Sequence, residues 1–448
     1  MTQPTAVDII ESRYGTYVPV MIAQTPPAPR PRLHVQGRPR LFSPAPAAQT
    51  DPYGAPFWFA YGANLLVSAG IGVLYHYADF IALLGGTELH LGWIVGIGMV
   101  GSLVMRLAMG VGIDRRGPRI ILFGSVAILI VMCLAHLAVT SPTGAAIYLL
   151  RIGYCSAMAG YYGASTAFVC ARAPRGRMAE IVGMIGTSGF LGNILGTQLG
   201  DHLRGDGIVQ RWDVDQMFLA AAVLVAVSLP LIWLSLRGHV PPVPAAQPPL
   251  GRLLRSCHPG TLLLAVMVVM GVGLNWPIAF LPTYAAQLGF TRIALFFTVY
   301  ALAAVLTRIA TRSWPQRLGL RTMILLGSGG LVLSQLAFLA AASEWLLVVP
   351  GIGYGMSHAV LFPAAFAVGN LSFPEQHRGL GTMLILAMWD IGQLLGMPAA
   401  GIIIHYSARA DLPPYPVLFF SMAVLIGVTT LGYAMVSRRL GRLLAAPA

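Results

Sequence analysis

The chain has 448 residues, of which 56% are apolar and only 10% charged, with a mean hydropathy of +0.74. A soluble protein of this length carries about a quarter charged residues, so the composition is that of a polytopic helical membrane protein. Its formal charge of +13 does not point to nucleic acid, because the arginines sit at the ends of apolar runs rather than in one basic stripe. All 28 basic residues are Arg. A phosphate-binding P-loop needs a lysine, so such a nucleotide motor and lysine Schiff-base chemistry are both excluded.

Residues 1–56 hold many prolines, five arginines and no apolar run long enough to span a bilayer. They read as a disordered cytoplasmic tail with no secretory core. Twelve apolar runs follow: 57–80, 91–113, 119–139, 144–170, 178–200, 216–236, 261–285, 291–312, 320–341, 345–370, 379–405 and 415–437. Each is near the ~20 residues that cross the hydrocarbon core. With the N-terminus inside, 21 arginines fall on the inner side and four on the outer. That bias places both termini in the cytoplasm. The Pro-rich stretch 237–260 is a cytoplasmic spacer between residues 57–236 and 261–437, and 438–448 form a second cytoplasmic tail.

Between the second and third runs lies Gly110-x-x-x-Asp114-Arg115-x-Gly117-x-Arg119. Gly and Pro118 break the helix there, and the arginines mark the cytoplasmic side. The segment MRLAMGVGIDRRGPR (105–119) lies opposite TRIATRSWPQRLGLR (307–321) at an offset of 202. It matches Arg106 with Arg308, Arg115 with Arg317, Gly117 with Gly319 and Arg119 with Arg321. A second match, LGNILG (191–196) with IGQLLG (391–396), runs at an offset of 200. Two such matches indicate an internal duplication.

The 110–119 pattern resembles the loop between helices 2 and 3 of the major facilitator superfamily. The resemblance covers about residues 57–437. It implies an all-α membrane fold of 12 transmembrane helices in two six-helix bundles around a central cavity. It further implies transport of a small solute by rocking of the two halves about that cavity. Arg106, Gly110, Asp114, Arg115, Gly117, Arg119, Arg317, Gly319 and Arg321 would form its cytoplasmic gate, with Arg106 bracing the latch. Asp114 faces Gln316 in the repeat, so the second latch lacks its acid. Phe362-Pro363, Phe373-Pro374, Arg378-Gly379 and Asp390-x-Gly392 also resemble the sugar- and drug-efflux branch. The Gly-Pro kink of that branch's antiporters is missing from run 5, which carries glycines but no proline.

Charge inside lipid is expensive, so ionisable residues within the runs are candidates for function. Asp390, mid-way along run 11, is a carboxyl able to load and unload a proton. His358 in run 10 is placed as its relay partner and Arg151 in run 4 as an assistant or an anion clamp. Asp79, at the outer end of run 1, could pair with Arg151. Asn64, Asp79, Arg151, Asn275, Trp276, Tyr284, Trp389 and Gln393 are the candidate cavity residues. Each also has an ordinary packing or interhelical reading. Cys133, Cys155, Cys170 and Cys257 form no CxxC pair and read as small core residues. No cofactor, metal set or nucleophile constellation is indicated, so an enzyme is not expected.

The expected protein is a secondary active transporter in a bacterial cytoplasmic membrane, a monomer whose partners are lipid, protons and a small solute. Proton-coupled efflux is the favoured direction. The alternatives are a symporter importing a small organic anion, and a non-transporting receptor or scaffold on the same fold.

Overall fold

In lipid every backbone amide must be satisfied within the chain, and helices do this segment by segment. A computed structural model describes residues 8–11, 17–20, 53–171, 178–237, 261–371 and 378–445. At 8–11, 17–20, 110–117, 171, 178–180, 182, 261–262, 370–371, 378–382 and 438–445 it describes the backbone alone.

The tail is not without structure. Strands β1 (Asp8–Glu11) and β2 (Tyr17–Val20) pair antiparallel, with Asp8 opposite Val20 and Glu11 opposite Tyr17. Their β-branched and aromatic content suits a strand, so the expectation of disorder gives way at these residues. The other described elements are helical. The N-terminal half comprises α1 (Ala55–Val73), a 3₁₀ turn (Leu74–His76), α2 (Tyr77–Leu83), α3 (Glu88–His136), α4 (Ala145–Ala171), α5 (Met178–Arg204) and α6 (Arg211–Ser235). The C-terminal half comprises α7 (Thr261–Gln287), α8 (Ala294–Ala310), the short α9 (Trp314–Arg317), α10 (Leu320–Ala337), α11 (Val348–Leu371), α12 (Arg378–Arg409) and α13 (Pro414–Ala445). Among the described residues nine stretches are long and apolar enough to cross a membrane. The spacer 238–260 lies outside the described residues, whereas α13 carries helix on to Ala445, past the expected boundary at 437.

At the expected break, Gly110–Arg119, the difference is in the backbone and not in the path of the chain. The backbone stays helical from Glu88 to His136, with Pro118 inside, although 88–109 and 118–136 are separate spans by composition. The chain nevertheless doubles back. Gly160 of α4 meets Met105 from the first stretch and Ser125 from the second, and Pro142 after α3 lies against Gly86 before it. Side chains 110–117 lie outside the described residues, so Gly110, Asp114, Arg115 and Gly117 have no described contacts. In the repeat, Gly319 caps α10 at φ 78°, a left-handed conformation that favours glycine. Arg321 donates to the Ala434 carbonyl at 3.1 Å, while Arg317 and Arg119 are exposed.

The duplication is visible in the packing. Gly192 of α5 lies against the α1 backbone at Leu65 and Ala69, and its repeat mate Gly392 of α12 lies against α7 at Val268 and Gly271. Small residues let these backbones touch. A Cβ on Gly392 would overlap the Val268 carbonyl oxygen, whereas one on Gly432 meets nothing within 4 Å. Gly392→Ala is expected to destabilise by about 1–3 kcal/mol and Gly432→Ala to be near neutral, read from unfolding in micelles.

We call the face carrying the arginine-poor loops 84–87, 137–144, 205–210 and 288–293 outer. Across the two halves, α3 packs on α12 and α5 on α8.

Candidate functional site

A cavity of about 240 Å³ lies between the halves. Its walls come from α1 and the turn after it (Ile71, Tyr75), α3 (Met99, Ser102, Arg106), α4 (Arg151, Tyr154, Tyr162), α7 (Asn275, Ala279) and α12 (Trp389, Asp390, Gln393). Its mixture of aromatic rings, amides and a few charges suits a small amphipathic solute.

Asp390 is the one carboxylate in this lining, and it is buried at 2% exposure. Its Oδ2 accepts from Arg106 Nε at 2.5 Å and from the Ser102 hydroxyl at 2.5 Å, and Oδ1 accepts from Arg106 Nη2 at 3.2 Å. The guanidinium thus grips the carboxylate with two donors, the strong form of this contact. It also ties α3 of one half to α12 of the other. Arg106, expected to brace the cytoplasmic latch, is instead the counter-ion of Asp390. One turn of helix separates Ser102 from Arg106, so both face the same partner.

The relay expected between Asp390 and His358 is not formed. His358 Nδ1 is hydrogen-bonded to the Tyr300 hydroxyl, and its ring packs on Phe362, Phe190 and Trp389. The pairing of Asp79 with Arg151 is likewise absent. Asp79 accepts from Arg204 Nε at 3.1 Å and from His76 Nδ1 at 2.9 Å. Arg151 lies over the rings of Tyr77 (4.5 Å) and Tyr154 (5.0 Å). Its Nε has no hydrogen-bond partner among the described residues.

The other candidates divide. Asn275, Trp389 and Gln393 line the cavity with Arg151, and Asn275 Nδ2 also donates to the Gly271 carbonyl one turn back. Asn64 lies in the seam between α1 and α5, donating to the Ser188 hydroxyl at 2.8 Å. Trp276 is fully buried inside the C-terminal half, where its indole N–H donates to Gln335 at 3.0 Å and to the Tyr354 hydroxyl at 2.6 Å. Tyr284 donates to the Phe338 carbonyl at 2.9 Å. These three are interhelical ties rather than cavity wall. Their amide, indole and phenol groups find partners on neighbouring helices because an unpaired polar group in lipid is costly. Ser102, Tyr154 and Tyr162 are wall residues that the sequence reading does not single out. Ser102 was detectable through its i,i+4 spacing from Arg106; the tyrosines carried no signal beyond their helix.

The repeat exposes an asymmetry. Asp390 corresponds to Phe190 at the offset of 200, as Arg106 corresponds to Arg308 at 202. Arg308 lies over the Phe190 ring at 5.4 Å. The same guanidinium position is therefore met by a titratable acid in one seam and by a ring in the other. Cys133, Cys155 and Cys170 are free, while Cys257 lies outside the described residues.

Several known proteins are similar. Over 125 residues the chain is 30% identical to a "Probable multidrug-efflux transporter" of Mycobacterium tuberculosis, a match covering 28% of this chain and 26% of that protein. The chain therefore aligns with about a quarter of the length of that relative. Among solved structures, the nucleoside transporter NupG superposes at a TM-score of 0.68 with 14% identity, over 85% of this chain and 98% of that one. A D-xylose-proton symporter gives 0.65 with 16% identity, over 84% and 96%. A bacterial homologue of the human lysosomal transporter Spinster gives 0.64 with 16% identity, over 89% and 100%. The structural likenesses show the fold. The sequence profile of the family matches residues 57–357 and 261–443, and the chain belongs to the Major Facilitator Superfamily, as a multi-pass membrane transporter.

Proposed function

We propose that the protein is a proton-coupled secondary transporter in which the Arg106–Asp390 pair links proton binding to movement of the halves. The observation that carries this reading is the position of Asp390: a buried carboxylate in the cavity wall, held by an arginine of the opposite half. A proton on Asp390 removes its charge and loosens its hold on Arg106. Because that contact joins α3 to α12, the proton and the arrangement of the halves bias one another, which is the condition for coupling.

Efflux is the favoured direction, supported by the short match to the multidrug-efflux relative. The reading puts both termini in the cytoplasm, supported by the arginine bias of the sequence, and has the protein act as a monomer in a bacterial cytoplasmic membrane. A second reading, import of a small organic anion, draws support from Arg151. Its guanidinium enters the cavity wall over the rings of Tyr77 and Tyr154, and its Nε has no hydrogen-bond partner among the described residues.

The test is a ligand thermal-shift panel at pH 5.5 and 8 covering sugars, nucleosides, cationic drugs and organic anions. A ligand at 100 times its Kd stabilises by about 2.7 kcal/mol. The expected result is a hit whose shift depends on pH in the parent and not in Asp390→Asn. A hit indifferent to both pH and Asp390 would remove the proton from the mechanism. A hit confined to anions and lost in Arg151→Gln would favour the second reading.

A further inference from the structure

The outer end of the α5–α8 seam holds a charge cluster that the cavity does not use. Asp201 closes α5, and its carboxylate reaches across to the opposite half. Oδ2 accepts from the backbone N–H of Ala294 at 2.9 Å and of Ile293 at 3.1 Å, and Oδ1 accepts from Ile293 N–H at 3.2 Å. These are the first amides of α8. The residue at that helix's own cap position is Ile293, which supplies no side-chain cap. Isoleucine is among the poorest cap residues, whereas aspartate is among the best. The cap that α8 lacks locally is thus supplied by the other half of the molecule, and the carboxylate also meets the positive end of the helix dipole.

Asp201 is itself held in place from behind. His76 Nε2 donates to its Oδ1 at 2.7 Å, and His76 Nδ1 donates to Asp79 Oδ2 at 2.9 Å. Arg204 closes the chain by donating to Asp79 and to the Gly205 carbonyl. His76 is buried at 1% exposure. Both ring nitrogens of His76 thus face carboxylate oxygens, an arrangement the imidazolium satisfies by donating from both. The cluster is complete within the N-terminal half and presents one carboxylate outward to α8.

The repeat shows that this arrangement is particular to one seam. Asp201 corresponds to Gly401 at the offset of 200. Gly401 also meets a helix N-terminus of the other half, at Glu88 and Leu89 of α3, but by bare backbone packing. That helix has its own cap from Thr87 and His90. Two inter-half contacts of a carboxylate thus lie at opposite depths: Asp390 by the cavity in the α3–α12 seam, and Asp201 at the outer end of the α5–α8 seam.

We propose that Asp201 is the latch of the outer gate: its carboxylate, positioned by His76, Asp79 and Arg204, caps α8 of the opposite half and must be withdrawn before the outer side can open. This rests on the reading that the halves rock about the cavity. Asp201 is a positioning residue for that motion and takes no part in binding the solute. The neighbouring pair Asp206–Arg292, 2.9 Å apart, spans the same gap, but both side chains are largely exposed, and such pairs contribute little.

The experiment is a spin-label distance measurement on the full chain in nanodiscs. Labels are placed at Ile208→Cys and Trp345→Cys, two exposed outer positions on opposite halves, in a background with the four native cysteines replaced. Asp201→Asn keeps the side chain's shape but removes the charge and one full acceptor. It is expected to raise the ratio of long-distance to short-distance population about tenfold. His76→Gln is expected to move the ratio in the same direction, whereas Asp206→Asn leaves it unchanged and Asp201→Glu partly restores it. Melting temperature is measured alongside, since a purely structural role would lower it without adding the long-distance population. Unchanged distances in Asp201→Asn and His76→Gln, with Asp390→Asn shifting them, would overturn the latch and leave the rocking intact. Unchanged distances in all of them would overturn both.

Discussion

Asp390→Leu is expected to destabilise the protein by about 3–5 kcal/mol, and Arg106→Leu placed on top of it to recover most of that loss. The asymmetry follows from where the two charges lie. The Asp390 side chain is 3% exposed and that of Arg106 15%, so neither has much water to fall back on. Removing the acid leaves a guanidinium buried against apolar helices with no counter-ion. Removing both leaves two apolar side chains of fitting size, which is often neutral. A double-mutant cycle in reversible mixed-micelle unfolding reads the coupling directly. Asp390→Asn is the milder case, since an amide still accepts from Ser102 and Arg106. A Leu variant as stable as the parent, or a double variant no better than the single, would show that the pair does not carry the buried charge between α3 and α12.

The same substitution in the other seam has no counterpart, because Phe190 stands where an acid would be. Its ring already sits over Arg308, and a cation over an aromatic face is stabilised without a titratable partner. Of the two corresponding positions, only that of Asp390 therefore carries a carboxylate. The outer ends differ in the reverse sense, with Asp201 on α8 and Gly401 on α3. At the exposed margin the Arg292 guanidinium holds the Asp206 carboxyl below its ordinary range. Whatever that pair contributes is present above the ordinary carboxylate pKa and is lost as the pH falls through the lowered value.

Much of this is legible without any coordinates. Composition and arginine bias follow from the physics of lipid, and the offsets of 200 and 202 follow from duplication. Hence the halves, the family and the singling out of Asp390 are accessible from residues alone. The partners are not. Sequence spacing relates residues on one helix, as with Ser102 and Arg106 or His76 and Asp79. The contacts on which the proposed coupling and latch rest cross between helices far apart in the chain, such as Arg106 with Asp390 and Asp201 with Ile293. Asp79 illustrates the limit: its place near the outer end of span 1 can be read from sequence, but its partners come from α5 and the turn beside it, not from α4. The helical backbone through 110–117 is likewise hidden, because Gly and Pro disfavour a continuous helix without forbidding one.

Trp276 tests the division between wall and tie. Set between Asn275 and Pro277, it offers by sequence a stacking face for a solute, yet it is fully buried. Its indole N–H serves Gln335 and Tyr354, and both of these also donate to the Gly273 carbonyl, at 3.1 and 2.8 Å. Pro277 has no N–H, so by the i→i−4 pattern that carbonyl has no helical donor. The three side chains of α7, α10 and α11 thus close around a backbone group that the proline leaves open. Trp276→Ala removes a large ring from between Phe338 and Phe419 and breaks this network, and is expected to destabilise by about 3–5 kcal/mol. Trp389→Ala, on the cavity wall at α12, is expected to weaken binding of a thermal-shift hit by about tenfold through loss of a stacking face, about 1.4 kcal/mol, with a smaller effect on unfolding. If Trp276→Ala instead weakened binding as much as Trp389→Ala while leaving stability unchanged, Trp276 would belong to the solute site, and the cavity would extend into the C-terminal half.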